Sequence, residues 1–302
     1  MSQNHTHNAL DRSVEKNRLR AALIVTLSIM IAEFVGGLLS GSLALLSDAG
    51  HMLTDSATLF LSFIAIRIAQ ARRADQYTFG WKRIEILAAL INGFFLLAIC
   101  AYIGYEGIQR LLHPKEVDTP TMLVIACIGL VANIFCASIL SHSHNLNVRS
   151  AFLHVVADLL SSIGVVIGAT VMLFSPITWI DPALSLVIAG MVLMSGMRVI
   201  REAASILMEA APEGINVNRV RESLLRYPDL LEVHDLHIWT ITSGMLSLSC
   251  HAVIDRNSIS RSDQIIQGMN KLLSESFGIS HTTIQIESPA FSANSDSCLD
   301  CE

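Results

Sequence analysis

Charged residues are scarce in this chain of 302 residues: only 15% are Asp, Glu, Lys or Arg, while 52% are hydrophobic. A soluble globular domain carries about 25% charged residues, so this scarcity excludes a wholly soluble protein and indicates a membrane protein with a water-soluble part. The net charge of −6 is modest and gives no reason to expect a nucleic acid partner. The N-terminus lacks the apolar core and the small-residue cleavage site of a signal peptide, so we expect none.

Cysteines are also few, and the six that are present form no pattern of extracellular disulfides. Cys100, Cys127 and Cys136 fall in apolar runs, where a thiol behaves as a small hydrophobic side chain. Cys298 and Cys301 differ, because they form a C-x-x-C near the end of the sequence. We therefore expect no disulfide framework.

Apolar runs of membrane-spanning length fill most of the first two thirds of the chain. A membrane helix needs about 20 predominantly apolar residues, and six stretches qualify: approximately 19–40, 43–68, 84–111, 120–141, 148–174 and 178–200. Lys and Arg concentrate before the first span, between the second and third, at the start of the fifth and at the end of the sixth. By the positive-inside rule, both termini are therefore cytoplasmic. We expect residues 1–18 to be a polar cytoplasmic tail and residues 19–208 to be a six-span transmembrane domain.

After Glu209 the composition becomes that of a soluble domain. Hydrophobic periodicity predicts helices over 215–227 and 260–276, and strands over 231–241, 245–255 and 281–288. This order indicates a small α+β domain over 209–289, with a sheet packed on two helices, and a polar tail over 290–302. The predicted fold class is an α-helical membrane protein with six transmembrane helices and a small cytoplasmic α+β domain of αββαβ order.

Two of the apolar spans each carry a His and an Asp four residues apart: His51 and Asp55 in the second, His154 and Asp158 in the fifth. On a helix, side chains at this spacing share one face. Two adjacent helices would thus offer two imidazoles and two carboxylates, a set that suits Zn²⁺ in tetrahedral geometry. A single such pair on a soluble helix is more often a surface or capping pair. Two copies at membrane depth, where ionisable groups are costly, favour a metal site.

Other polar residues also lie at membrane depth, namely Glu33, Asn92, Glu106 and Asn133. For Asn92 and Asn133 we expect hydrogen bonds between helices that fix their packing. Asp48 precedes His51 by three residues. Two interpretations of Asp48 stay open: a carboxylate that supports the metal ligands, or a helix N-cap or interfacial residue.

Four motifs together resemble the cation diffusion facilitator family, in its zinc-transporting branch. They are Leu45-Leu-Ser-Asp-Ala-Gly-His-Met-Leu-Thr-Asp55, Tyr77-Thr-Phe-Gly-Trp-Lys-Arg-Ile-Glu85, His154-x-x-x-Asp158 and Val233-His-Asp-Leu-His-Ile-Trp239. The resemblance implies a homodimer in a lipid bilayer, with six spans per protomer and metallochaperone-like cytoplasmic domains. It also implies efflux of Zn²⁺ from the cytoplasm in exchange for protons. We expect the inner membrane of a bacterium as the location.

The resemblance also assigns residues. It places the transported ion at His51, Asp55, His154 and Asp158, and a second zinc site in the cytoplasmic domain at His234, His251, His281 and Glu287. His237 follows His234 at an odd spacing, so a regular strand would turn it to the opposite face. We interpret His237 as structural.

Two further features stay open. In some animal members of the family, a C-terminal C-x-x-C joins N-terminal histidines of the neighbouring protomer. Here Cys298, Cys301, His5 and His7 could do the same, or could belong to two unconstrained polar tails. By the same resemblance, three residues could form a charge cluster where the membrane and soluble parts meet: Lys82, Arg83 and Glu209.

Two loops offer little for metal binding. The connection between the second and third spans has Asp75 but no histidine, so we expect no further metal site there. The connection before the fifth span has only His142 and His144, which we interpret as surface histidines rather than residues that deliver zinc.

Two other classes of protein would also place His and Asp in a membrane. A zinc hydrolase needs three protein ligands, an open position and a general base, whereas four equivalent ligands in two symmetric pairs leave no position for a reactive water. We therefore expect a secondary transporter and not an enzyme. A membrane-bound zinc sensor or receptor is the remaining alternative.

Overall fold

The computed structural model describes residues 3–69, 77–141, 146–175 and 177–292, except for some side chains within the helices. The helices are α1 (Gln3–Ser40), α2 (Leu43–Ala69), α3 (Ile84–Leu112), α4 (Thr119–Leu140), α5 (Leu146–Phe174), α6 (Ile180–Leu207), α7 (Val217–Leu225), α8 (Ser262–Phe277) and α9 (Pro289–Ser292). The strands are β1 (Leu230–Thr242), β2 (Met245–Ile254) and β3 (His281–Glu287), and a 3-10 helix covers Arg256–Arg261.

The predicted fold class is confirmed. Five helical segments within the described residues are long and apolar enough to cross a membrane: Arg20–Ser40, Ile84–Leu112, Thr119–Leu140, Phe152–Phe174 and Ile180–Leu207. The other predicted span is α2, which contains Asp48, His51 and Asp55. With 27 residues, α2 is about 40 Å long at 1.5 Å per residue, which exceeds the thickness of the bilayer core.

The N-terminal segment is helical. Residues 1–18 were predicted as a polar cytoplasmic tail, and α1 begins within them at Gln3 and continues into the first span without a break. The reason lies in the sequence, because no Pro or Gly interrupts it before Gly36. Without either helix-breaking residue, the polar segment extends the helix that the apolar segment forms.

The described chain divides into two compact units. The first comprises Met1–Phe60 and Ile91–Arg198. In it, α4 packs against α1 and α5, and the predicted hydrogen bonds between helices are present. Asn133 donates to Ser162 Oγ at 3.0 Å, and Asn92 donates to the carbonyl of Thr54 at 3.4 Å.

The start of α2 is held by a carboxylate from another helix. Asp181, fully buried near the start of α6, accepts hydrogen bonds from Ser42 Oγ and from the backbone N–H groups of Leu43 and Ala44. The first N–H groups of a helix have no partner within the helix, so Asp181 caps α2 from outside it. This contact fixes the end of α2 that lies before the His51 and Asp55 motif.

The second unit comprises Leu61–Leu90 and Val199–Glu302. Its three-stranded sheet has the order β1-β2-β3, with β1 and β2 antiparallel and β2 and β3 parallel. The parallel pair requires a crossover connection, which α8 provides. One face of the sheet packs against α7 and α8 through a core that includes Leu224, Leu248, Met269, Leu273 and Ile279. The elements follow the predicted order, and their ends lie within a few residues of the predicted ends.

β1 contains a bulge that the sequence pattern did not predict. His234 pairs with His251 and His237 pairs with Ser249, so three steps along β1 match two steps along β2. Because residues two apart on β2 share a face, His234 and His237 also share a face. The prediction that His237 lies on the opposite face was therefore wrong: the extra residue in the bulge reverses the alternation.

Two candidate metal sites

The first candidate site lies between α2 and α5, within the first unit. Asp158 is 3% exposed, and its two carboxylate oxygens lie near two imidazoles: Oδ1 is 3.9 Å from His51 Nε2, and Oδ2 is 3.7 Å from His154 Nε2. The two imidazole rings lie with their centroids 6.0 Å apart. His51, His154 and Asp158, three of the four residues predicted to form the transport site, thus lie close together.

The fourth residue, Asp55, lies in α2 four positions after His51. Its side chain is outside the described part of the structure. The helical backbone places residues 51 and 55 one turn apart on the same face. The position of Asp55 is therefore compatible with the predicted set, and its contacts stay a prediction.

Asp48 lies behind this site rather than at the end of a helix. α2 begins at Leu43, five residues before Asp48, so the N-cap interpretation does not hold. Asp48 is 2% exposed. Ser161 Oγ donates a hydrogen bond to Asp48 Oδ1 at 2.8 Å. Ser161 follows Asp158 by three residues on α5, so this bond links the two helices that carry the site. This bond favours a supporting role for Asp48, and the interfacial interpretation stays open.

The second candidate site lies on the sheet of the second unit. One possible ligand atom from each of His234, His251 and Glu287 can be chosen so that all three lie within 4.8 Å of one another. His234 Nε2 is 3.5 Å from Glu287 Oε2, and His251 Nδ1 is 3.0 Å from Glu287 Oε1. Each residue comes from a different strand, and the pairing of His234 with His251 places the two rings with centroids 5.2 Å apart.

The polar atoms of this second site are poorly satisfied by the protein. Glu287 is 2% exposed, and although Gln285 donates to Oε1 at 2.8 Å, Oε2 accepts no hydrogen bond from the described residues. Within the part of the chain that the structure describes, both ring nitrogens of His234 and Nδ1 of His251 are also buried without a hydrogen bond. A buried carboxylate without full compensation is costly. A divalent cation bound between the carboxylate and the imidazoles would remove this cost, and the donor set of two His and one Glu suits Zn²⁺.

Cys250 is next to this site in sequence but does not belong to it. Its thiol is buried in the domain core, on the face of the sheet opposite His251. Burial, with a smaller contribution from the negative charge of Asp235, raises the pKa of Cys250 to about 12. A metal ligand must be a thiolate, so Cys250 is a core residue.

The two parts of the chain match two descriptions of one family. Residues 19–208 match the cation efflux transmembrane domain, and residues 212–289 match the cytoplasmic domain of cation efflux proteins. The chain belongs to the cation efflux, or cation diffusion facilitator, family. It is therefore a multi-pass membrane transporter of divalent metal cations and not an enzyme.

Curated relatives are similar over almost their whole length. The cadmium, cobalt and zinc/H(+)-K(+) antiporter of Bacillus velezensis is 44% identical, over 99% of this chain and 96% of the relative. The zinc transporter ZitB of Pectobacterium atrosepticum is 39% identical, over 95% of this chain and 89% of the relative. The metal cation efflux system protein CzcD of Cupriavidus metallidurans is 37% identical, over 95% and 90%.

One predicted cytoplasmic ligand is not near the cluster in this transporter. His281 is the first residue of β3 and pairs with Ser247 on β2. His251, which is also on β2, pairs with Gln285 on β3. Glu287 is at the other end of β3, about 20 Å from His281 at the usual rise of a strand. The His281 ring instead contacts Phe79, with centroids 5.8 Å apart. Within one chain, the structure therefore brings together three of the four predicted residues.

The predicted charge cluster is present in part. Arg83 Nη2 is 2.6 Å from Glu209 Oε1, in an ion pair that is largely exposed. Lys82 does not join this pair, because its Nζ lies 3.0 Å from Met245 Sδ. Glu85, for which the sequence predicted no role, accepts hydrogen bonds from Thr242 at 2.8 Å and from Ser243 at 3.0 Å.

Other predictions fall on parts of the chain that the structure does not describe. Cys298 and Cys301 lie outside the described residues, as do Asp75, His142 and His144. His5 and His7 lie in α1, but their side chains are not described. Metal binding by the tails and its absence in the two loops stay predictions.

Proposed function

We propose that this transporter exports zinc from the cytoplasm in exchange for protons, and that His51, Asp55, His154 and Asp158 bind the ion during transport. The observation that carries the proposal is the position of Asp158, whose two oxygens face imidazoles from two different helices. Two nitrogen and two oxygen ligands match the preference of Zn²⁺ for tetrahedral N/O sites. The names of the relatives from Bacillus velezensis and Pectobacterium atrosepticum, which both include zinc, agree with this choice.

Proton exchange follows from the chemistry of the ligands. Imidazole binds a metal only when it is neutral, and a carboxylate only when it is ionised. Protons therefore compete with zinc for the same side chains. Where protons are abundant, protonation of His51, His154 and a carboxylate releases the ion. The protonated site then returns to face the cytoplasm, by rocking of helices about a site near the middle of the membrane.

We propose the following arrangement of the chain. Residues 19–208 form the transmembrane domain and 209–289 the cytoplasmic domain, with tails at 1–18 and 290–302. The clusters of Lys and Arg favour cytoplasmic termini by the positive-inside rule. The family resemblance supports a homodimer in the inner membrane of a bacterium.

We also propose that His234, His251 and Glu287 bind zinc to regulate transport. Their support is the nearly buried Glu287 carboxylate, which faces imidazoles that have unsatisfied nitrogens. Zinc at this site would stabilise one arrangement of the cytoplasmic domains and so favour one state of the transporter. A ligand shifts such an equilibrium only by its difference in affinity for the two states.

Transport by the purified protein in liposomes tests the proposal. A zinc-sensitive dye inside the liposomes reports entry of the ion while a pH gradient, acidic inside, is imposed. We expect zinc uptake that accelerates with the gradient, together with outward movement of protons that depends on zinc. Uptake at the same rate with and without the gradient would contradict proton exchange. Zinc binding without any uptake would instead favour a sensor.

A further inference from the structure

We propose that Asp235 positions His251 at the cytoplasmic metal site. In the proposed metal-bound site, the Asp235 carboxylate accepts a hydrogen bond from the Nε2–H group of His251, which leaves the lone pair of Nδ1 for the metal. This inference rests on the proposed zinc site of His234, His251 and Glu287. It adds a residue outside the cluster of candidate ligands, because Asp235 acts through His251 and does not touch the ion.

The first observation is the backbone of Asp235. Its φ angle is +51°, in the left-handed region that residues other than glycine rarely adopt. It lies in the β1 bulge between His234 and His237. Such conformations carry a cost in free energy and are concentrated at functional sites, and bulges often redirect a side chain next to a site.

The second observation is the direction in which the bulge sends the carboxylate. Asp235 Oδ1 is 2.8 Å from His237 Nε2, in a hydrogen bond. Asp235 Oδ2 is 3.7 Å from His251 Nε2, which is within ion-pair distance but longer than a hydrogen bond. The carboxylate thus lies between two imidazoles, and His237 holds the oxygen that does not face the metal site.

The third observation is the orientation of His251. Its two ring nitrogens face opposite partners: Nδ1 lies 3.0 Å from Glu287 Oε1 in the metal site, and Nε2 faces Asp235. A neutral imidazole carries one proton, and the group that accepts this proton determines which nitrogen remains free. Carboxylates commonly hold metal-binding histidines in this way, which fixes the ring and strengthens its binding to the metal.

The experiment measures zinc binding by the full-length protein in an Asp158→Ala background, so that the transport site does not contribute. Three substitutions separate the carboxylate from the backbone. Asp235→Asn removes the charge but tolerates the left-handed conformation, Asp235→Gly removes the side chain and relieves the strain, and Asp235→Ala removes the side chain but keeps the strain. Asp263→Asn, which changes a carboxylate at the start of α8, is the control.

We expect all three Asp235 variants to bind zinc about 10- to 100-fold more weakly than their parent, the usual effect of losing such a partner, and the control to bind unchanged. Without metal, the glycine variant should unfold at a higher temperature than the alanine variant. Zinc affinity could instead follow thermal stability, with the glycine variant binding zinc nearly as tightly as the parent and the alanine variant binding it far more weakly. That result would show a merely structural role for Asp235 and overturn the inference.

A second comparison tests whether Asp235 acts through His251. In the background of His251→Gln, a further Asp235→Asn change should weaken zinc binding by less than twofold, because the imidazole that it positions is already absent. An undiminished effect in this background would overturn the inference. Failure of the parent protein to bind zinc at all would instead refute the proposed site itself.

Discussion

The two candidate metal sites use similar side chains but hold them in different ways. In the membrane part, the candidate ligands come from α2 and α5, with His154 and Asp158 one turn apart on the same helix. In the cytoplasmic domain, His234, His251 and Glu287 come from three strands that are joined by backbone hydrogen bonds. Helices can shift against each other without breaking backbone hydrogen bonds, whereas strands of one sheet cannot. The proposed transport site on the helices is therefore suited to release zinc, and the proposed site on the sheet to retain it.

The largest difference between the sites should appear when a carboxylate of the helical site is removed. Asp55→Ala or Asp158→Ala should lower the transport rate by more than about 100-fold, because the remaining ligands cannot neutralise the ion and a buried partner is lost. Zinc binding at the cytoplasmic site should persist. Uptake into liposomes and equilibrium binding on the same preparation measure the two effects.

Asp48→Asn is the matched control, since it changes another buried carboxylate of α2 but keeps a group that accepts the hydrogen bond of Ser161. It should retain more transport than either ligand variant. If Asp48→Asn abolishes transport while Asp158→Ala does not, the ion binds elsewhere.

A smaller effect is expected when the type of ligand changes. His51→Asp should keep transport but shift the preference from zinc towards Cd²⁺ or Mn²⁺, because a carboxylate oxygen favours harder ions than an imidazole nitrogen does. Competition between metals for uptake measures the preference. His113→Asp, at an exposed histidine outside both sites, should leave the preference unchanged. Unchanged zinc preference in His51→Asp would mean that ligand identity does not select the metal.

Loss of the sheet site should modify transport rather than abolish it. The double variant His234→Ala with His251→Ala should retain uptake but show a changed dependence on the zinc concentration on the cytoplasmic side, because the proposed site shifts an equilibrium and does not carry the ion. Initial uptake rates over a range of zinc concentrations measure this dependence. Complete loss of uptake in a correctly folded double variant would rule out a purely regulatory role.

The smallest effect is expected for the ion pair of Arg83 and Glu209. Both side chains are largely exposed, and exposed pairs contribute at most about 1 kcal/mol. Glu209→Gln should therefore change the free energy of unfolding by less than about 1 kcal/mol. Denaturation of the full-length protein measures the change. A much larger loss would indicate that this pair belongs to a larger network of charged side chains.

The sequence predicts the helical site better than the sheet site, for a physical reason. His154 and Asp158 are four residues apart, and helical periodicity alone places them together. No local spacing relates His234 to Glu287, which meet only because β1 and β3 both pair with β2. The predicted grouping of these two with His251 therefore depended on the family resemblance, which also included His281, a residue that the sheet places at its far end.

The bulge at Asp235 could not be predicted from the alternation of side chains along a strand. Strict alternation placed His237 on the wrong face, because one inserted residue changes the face of every residue after it. A His-Asp-Leu-His sequence contains no glycine to signal a positive φ angle. The extension of α1 to Gln3 was not predicted, because a polar composition indicates a segment outside the membrane but does not show whether that segment is helical.

The most direct test of this account compares two variants of the full-length protein, Asp158→Ala and His234→Ala with His251→Ala, in the same two assays. One assay counts bound zinc ions per chain, and the other measures zinc uptake by liposomes under a pH gradient. We predict that Asp158→Ala binds zinc at the cytoplasmic site without uptake, and that the double variant loses this bound zinc but continues uptake. The reverse result, with uptake in Asp158→Ala and none in the folded double variant, would contradict the assignment of transport to the membrane site.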